Sequence, residues 1–466
     1  MRINRVKLNF ILILLPPLLA CLIALTPTFR YTVPLTWDIY YHIHNATLYM
    51  GRGIVFWDPL TSAPHGRPIY YPPLFHIMML FLSKITGLGF FTVSRFMQPV
   101  FAFLIVLSFS YVSGKLYGPL GGFLTGIFLF SSLFFMRMIF PIPESLAMIS
   151  IPLFVYGYYR SMEGCSRLYP VLTGLLLGLM LMTHILSASI ILAVVTLSTI
   201  VLYIGKYDIR PWNLLIILGS GLLLASVWYA PLIVKYGFVF RSPPTSSLPL
   251  KGYITHLGVL LTILSLAGIV HAAGRREKKD VIMAVWTVFV LALTAAYLLG
   301  LKVLSDRILY FALFPMATLS ADLFNSIRIN NGKWSFYAII LLISLYCIYD
   351  GYSLASSIKL EVSDSELDIA EWFRYNGDHA TVVVSDYHIQ PAIVAISGQP
   401  VSAGGYAPGT IRSINVEKYI SSFNYTKHDI MRDRVGYIIL DNEERTPPYS
   451  RLVYRNRDFS VYRVNV

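Results

Sequence analysis

About eleven stretches of this chain are apolar over roughly 18–22 residues, the length that spans a bilayer core as a helix. They fall near 8–29, 93–113, 118–136, 144–160, 168–183, 185–204, 212–234, 254–272, 281–300, 308–325 and 335–352. No other feature constrains the fold as much. In lipid every backbone N–H and C=O must be satisfied internally, so runs of this kind become transmembrane helices. Of the 466 residues 56% are hydrophobic and 13% charged, against about 45–50% and about 25% in soluble domains. The chain therefore reads as an α-helical polytopic membrane bundle with room for one soluble domain. Its formal net charge of +13 does not call for nucleic acid, because Lys and Arg gather in the cytoplasmic loops of membrane proteins. Cys21, Cys165 and Cys347 lie in or beside apolar segments without paired spacing, which gives neither a metal motif nor a disulfide framework. The first block follows Arg2, Arg5 and Lys7, lacks a small-x-small exit and is too long for a signal core, so it reads as a retained anchor.

One further run, PPLFHIMMLFLSKITG from Pro72 to Gly87, is shorter and carries His76 and Lys84. Counting it as a span inverts every loop downstream, so the charges decide. If it is an interfacial helix, Lys115, Arg160 with Arg167, Lys206 with Arg210, the Arg275–Lys279 cluster, and Arg328 with Lys333 all fall inside with the N-terminus. That is the positive-inside arrangement. The expected topology has the N-terminus cytoplasmic, the C-terminus outside, and a long external first loop at 30–92. The division expected is a membrane domain over 1–355 and an extracytoplasmic α/β domain over 356–466. Within the tail, SELDIAEWFRYN has a helical apolar face, TVVVSD and VGYIILDN read as buried strands, and PAIVAISGQ as a helix ending at glycine. FSVYRVNV alternates like an edge or hairpin strand.

Polar groups collect on the outer side. In WDIYYHIHNATLYMGRG, Asp38 and His42 are four apart, so a helix there projects both from one face. A carboxylate beside an imidazole can act as a base, orient a metal or bind a hydroxyl; a helix cap with a solvated histidine in an aromatic belt is the plainer alternative. Glu144 follows FPIP at the outer mouth of a span, with Arg137 shortly before it. It suits a helix dipole as well as a site. Arg307 opens the tenth span from outside, placed to snorkel, to pair with Asp306, or to hold a phosphate bidentately. His184, in LMTHILSAS between two spans, is a weaker candidate.

These residues carry a resemblance. Asp38, the DxxxH spacing, NATLYMGRG and the YYPPLF helix resemble the first external loop of GT-C glycosyltransferases, above all the catalytic subunit of oligosaccharyltransferase and its archaeal relatives. The stretch from RFMQPVF to PIPESLAM, with its SGKLYG turn, Arg137 and Glu144, extends it through two spans, and RILYFALFP resembles the arginine-opened late span. In the tail, AEWF and then TVVVSDYH follow the family's helix, strand, Asp-Tyr order, which marks Asp386 and Tyr387. The resemblance implies a membrane glycosyltransferase moving a sugar or oligosaccharide from a polyprenyl-phosphate or -pyrophosphate donor to an acceptor on the outer face. Asp38, His42 and Glu144 would be catalytic and Arg307 with Arg137 would bind donor phosphate. A divalent cation, Mg²⁺ or Mn²⁺, would sit on Asp38 and Glu144. Membrane lipids would be partners, and nucleic acid would not. The chain also departs from the family. The second-loop motif of oligosaccharyltransferase has two acids, and here the upstream one is apolar, at Ile142 beside Pro143. The loop KYGFVFRSPPTSSLPLKGY has no Glu, and SDYHIQ stands where that enzyme has WWDYG. Transfer from a lipid monophosphate to a hydroxyl of lipid, polysaccharide or protein, and a non-catalytic transporter or assembly factor on the same scaffold, stay open as alternatives.

Overall fold

The computed structural model describes residues 2–164, 166–238, 246–326, 333–404, 412–442 and 445–465. The helices, in chain order, begin with α1 (Arg2–Arg30), α2 (Asp38–Arg52), α3 (Leu74–Thr86), α4 (Phe90–Tyr117) and α5 (Pro119–Phe128). Next come α6 (Phe134–Ile139), α7 (Pro143–Glu163), α8 (Leu168–Leu181), α9 (Ile185–Ile204) and α10 (Asn213–Tyr236). Then follow α11 (Leu250–Leu257), α12 (Val259–Arg275), α13 (Lys278–Thr294), α14 (Ser305–Tyr310), α15 (Leu313–Ser326) and α16 (Lys333–Ser357). The tail adds α17 (Asp364–Asn376), α18 (Gln390–Ser397), α19 (Glu417–Ile420) and α20 (Lys427–Asp433).

Chain contacts divide the protein into two compact units. The first holds residues 1–32, 96–227 and 242–358; the second holds 33–95, 228–241 and 359–466.

The first unit is the helical bundle. Among the described residues, seven helical stretches are long and apolar enough to cross a membrane, and α11 with α12, bent by 100° at Gly258, makes an eighth if counted together. Several expected spans are broken or short for identifiable reasons. The block at 118–136 stops as α5, a 3-10 turn over Leu129–Ser131 and the short α6. The block at 308–325 divides into α14 and α15. The run at Pro72–Gly87 forms the 13-residue α3, which at about 1.5 Å per residue is shorter than a bilayer core. Close helix packing uses small residues: a side-chain carbon at Gly122 would stand 2.4 Å from the Ser110 carbonyl oxygen, so α4 and α5 meet backbone to backbone. Cys21 and Cys347 are free thiols in the packing; Cys165 lies outside the described residues.

The second unit is α/β. Its four-stranded sheet contains β3 (Val382–Val384), β4 (Val435–Asp441), β5 (Ser450–Arg455) and β6 (Phe459–Val464), after an antiparallel pair β1 (Trp57–Asp58) and β2 (Arg67–Pro68) nearer the N-terminus. The order in space is β3-β4-β6-β5, with β3 parallel to β4 and the other pairs antiparallel. FSVYRVNV is thus a hairpin strand but an inner one, and the edge falls to the more exposed Ser450–Arg455. α17 starts with a capping box between Ser363 and Glu366. It lays Phe373 edge-on against Tyr437 (5.1 Å) and stacks Trp372 on Tyr454 (5.5 Å). The first-loop segment is knitted into the tail by backbone hydrogen bonds: Ala63 N–H to Val401 O (2.9 Å) and Val401 N–H to Leu60 O (2.8 Å). Residues far apart in sequence thereby share one small domain.

Candidate functional site

In the second unit, α2 begins at Asp38 because the chain before it is tied down by a distant acid. Glu361 Oε2 accepts from the Thr36 hydroxyl and from the Trp37 N–H, each at 2.7 Å. A carboxylate there satisfies a donor at the helix start and complements the dipole. Asp38 is half-buried in the first turn, and His42, one turn later, is buried. Trp37, not Asp38, occupies the cap position.

The SDYH turn of the tail closes over this helix start. The Trp37 indole N–H donates to the His388 carbonyl, and its ring stacks on the His388 imidazole at 5.0 Å with 12° between planes. Tyr387 lies 5.7 Å from Trp37 between ring centres. Burial pushes the Tyr387 hydroxyl up to about 12; Arg67 pulls it down, while the Tyr41 ring and the Asp38 carboxylate add to the rise. Asp38 and Tyr387 are therefore electrostatic neighbours. Asp386 is spent locally, accepting the His388 N–H at 2.9 Å, and the His388 ring bonds Glu366 (2.8 Å).

Behind Asp38 lies a buried imidazole group that local spacing did not reveal. His42 Nδ1 is 2.9 Å from His76 Nε2 on α3, and Tyr71 packs its edge at 4.8 Å from His42. His76 is fully buried; burial, then the neighbouring His44 charge, pushes it down to about 3, so it is neutral at physiological pH. His44 Nε2 pairs with Asp58 Oδ2 at 2.9 Å, and both are buried. Burial works against the Asp58 charge, yet His44, the Thr61 hydroxyl and the Leu60 N–H together hold its carboxyl below the usual range. Asp58 stands 14 residues from His44, so no helical repeat links them, and only the α2–β1 approach brings them together.

In the first unit, Glu144 opens α7 with Pro143 ahead of it in the first turn. Its carboxylate is buried at 3% exposure. Oε2 receives Arg137 Nε at 2.7 Å and Nη2 at 2.6 Å, while Oε1 is buried without a hydrogen-bond partner among the described residues. The Arg137 guanidinium faces the Tyr310 ring at 5.9 Å, and the Tyr310 hydroxyl is another buried atom without a hydrogen-bond partner among the described residues. Arg307 and His184 are near enough to act on the Glu144 charge. Arg307, half-buried in α14, makes no hydrogen bond or ion pair among the described residues. Asp306 does not pair with it, because its carboxylate takes the Ser246 hydroxyl. His184 caps α9, with Nδ1 2.7 Å from the Ser187 hydroxyl and accepting the Ser187 N–H. That is a structural use of the ring.

Of the expected residues, Arg137, Glu144, His184 and Arg307 thus gather in the first unit, and Asp38, His42, Asp386 and Tyr387 in the second. The expected metal ligands Asp38 and Glu144 fall in the second and the first unit respectively. Glu144 Oε2 already holds a guanidinium on two nitrogens, and no three His, Cys, Asp or Glu side chains come together as ligands among the described residues.

The architecture is that of the GT-C membrane fold. The Archaeoglobus fulgidus oligosaccharyltransferase in its apo form superposes with a TM-score of 0.67 at 14% identity, over 93% of this chain and 69% of that one. ArnT from Cupriavidus metallidurans, in a structure bound to undecaprenyl phosphate, matches with a TM-score of 0.68 at 11% identity over 97% of both chains. The mycobacterial arabinofuranosyltransferase AftD gives 0.60 at 13% identity, over 97% of this chain and 40% of the larger one. An oligosaccharyltransferase structure containing Zn and sulfate is also similar. No protein-family model matches the sequence, and no curated protein is similar to it in sequence.

Proposed function

We propose that this protein is a multi-pass membrane glycosyltransferase that transfers a sugar from a polyprenyl-phosphate-type donor to an acceptor on the outer face. The N-terminus would be cytoplasmic and the tail extracytoplasmic. The observation that carries the reading is Arg307: a half-buried guanidinium without a counter-ion among the described residues, beside the Arg137–Glu144 pair, in a GT-C fold. A site of that charge suits an anion, and a phosphate leaving group gains negative charge as its bond to sugar breaks.

In the reaction, the acceptor nucleophile attacks the anomeric carbon, the bond from that carbon to the phosphate oxygen breaks, and the phosphate departs with the electron pair. Arg307 neutralises that charge. Arg137 assists, held in orientation by Glu144, which acts as a positioning residue. Asp38 takes the proton of the acceptor, with Tyr387 beside it to hydrogen-bond the acceptor and His42 to steady the helix face through His76. No step is routed through a divalent ion.

Between donors, a lipid monophosphate is the better fit. The chain matches ArnT, whose structure holds undecaprenyl phosphate, over 97% of each, whereas it spans 69% of the oligosaccharyltransferase. The loss of the second-loop acid at Ile142 and of WWDYG points the same way, toward a hydroxyl acceptor rather than a sequon asparagine. The test is a scan of lipid-linked sugars for release of lipid phosphate by purified protein. Asp38→Asn is expected to lower release at least about 100-fold, as removal of a general base does, with normal membrane expression. Full activity in that variant removes Asp38 from the mechanism.

A further inference from the structure

α16 carries a carboxylate, Asp350, inside a stretch (Trp334–Ser357) long and apolar enough to span a membrane. It stands seven residues from the helix end at Ser357, roughly 10 Å along the axis. Ionisable groups within apolar spanning stretches are costly and are found paired or in functional cavities. Among the described residues Asp350 has no hydrogen bond and no ion pair. It lines a cavity of about 260 Å³ with Ser131, Leu133, Thr255, Tyr346 and Leu354.

The cavity exists because the backbone breaks there. α11 and α12 turn through 100° at Gly258, whose φ of +86° suits glycine. A side-chain carbon at Gly258 would lie 2.1 Å from the Ser131 carbonyl oxygen, so the close approach of the two segments tolerates no other residue.

Two hydroxyls among the lining residues are already engaged. The Ser131 hydroxyl donates to Phe128 O at 3.0 Å, and the Thr255 hydroxyl donates to Lys251 O at 3.0 Å. With those protons donated to backbone, the Asp350 carboxylate is the charged group that a ligand would meet. An alkylammonium supplies up to three N–H donors and the missing positive charge. The walls beside the cavity are exposed and apolar, with Val259 61%, Ile254 42% and Tyr346 55% exposed. A ligand that satisfies both halves has a cationic amine head and a hydrocarbon tail.

We propose that this cavity binds the protonated primary-amine head of a membrane amphiphile, with Asp350 as its counter-ion. Phosphatidylethanolamine and single-chain alkylamines share that chemistry. Full-length protein would be purified in detergent and equilibrated with equal parts of phosphatidylethanolamine, phosphatidylcholine and phosphatidylglycerol, and bound lipid counted by native mass spectrometry. Retention of the ethanolamine lipid about fivefold above the others is expected, as one ion pair allows, and Asp350→Asn should abolish the preference. Equal retention of all three lipids by the wild type, or an unchanged preference in Asp350→Asn, overturns the proposal. A second arm uses wild-type protein alone, so that it survives any folding failure of the variant. Dodecylamine should displace bound phosphatidylethanolamine at least about fivefold more effectively than dodecanol; equal displacement shows tail binding only and refutes the assigned counter-ion. Binding of dodecylamine but not dodecanol, with no uptake of phosphatidylethanolamine, supports the counter-ion and assigns the site to single-chain amines.

Discussion

Glu144→Gln is the most informative substitution in the first unit, because it keeps shape and removes charge. In the wild type two guanidinium nitrogens of Arg137 sit 2.7 and 2.6 Å from one carboxylate oxygen, with the acid 3% and the arginine 21% exposed. Hydrogen bonds to charged groups contribute about 1.5–3 kcal/mol each when lost, and breaking a buried pair costs about 3–5 kcal/mol. The arginine keeps some contact with water, so a loss of about 2–3 kcal/mol in its positioning is the reasonable scale. If Arg137 is held for the donor phosphate, that loss appears as a rise of roughly 30–150-fold in the donor KM, with acceptor KM unchanged. The assay is release of lipid phosphate at varied donor, with and without Mn²⁺ or chelator. Glu144→Asp should give a similar defect, because one methylene less pulls the carboxylate off both nitrogens. The reasoning is refuted if Glu144→Gln leaves donor KM untouched. It is equally refuted if chelator silences the wild type and excess Mn²⁺ restores the variant, since Glu144 would then be a metal ligand.

Arg307→Lys keeps the charge and loses the planar fork; it should raise donor KM about 10–100-fold, more than it changes the acceptor KM, in the same assay. His76 gives a pH signature in the second unit. Its folded value near 3 lies below the ordinary histidine value, so the unfolded chain binds more protons between about pH 3 and 6.5. Stability should therefore be flat above about pH 6.5 and fall by about 1.4 kcal/mol per unit below it. Asp58, whose carboxyl is held low, contributes stability that is kept above about pH 4 and lost only as the pH falls further, so it does not change between pH 7 and 5. Limited proteolysis of the full chain between pH 7 and 5 measures the slope, and His76→Gln should flatten it; an unchanged slope removes His76 as its source.

Apolar block length disclosed the membrane bundle, short apolar runs disclosed the buried strands at Val382–Val384 and Val435–Asp441, and alternation disclosed the strand at Phe459–Val464. These signals are local: a helix or strand needs only its own period. The breaks in the bundle were less legible, since 118–136 and 254–272 are apolar throughout, and only the close approach of Ser131 to Gly258 makes a continuous helix impossible there. The spacing of Asp38 and His42 correctly places both on one helix, but spacing alone does not assign partners. His42 bonds His76, 34 residues away, and the helix start is tied by Glu361, 324 residues from Trp37. Buried polar groups must find partners wherever packing brings them, and the period of a helix carries no record of that choice.

The same reasoning explains what the single acid of the second loop does. In the family that the chain resembles, two acids stand in this motif; two carboxylates beside one arginine leave a net negative charge, which favours a cation. Here Ile142 replaces one of them and is itself buried at 4% exposure, so Glu144 with Arg137 is neutral. Adding Arg307 makes the neighbourhood positive, and His184 adds to it whenever it is protonated. Low dielectric strengthens that imbalance, and the buried, partnerless Tyr310 hydroxyl offers a donor to whatever anion is drawn in. On the function proposed above, that charge balance suits a phosphate better than a cation. Restoring the acid with Ile142→Asp should weaken donor binding in the wild-type background, and a gain in donor affinity would contradict the charge argument.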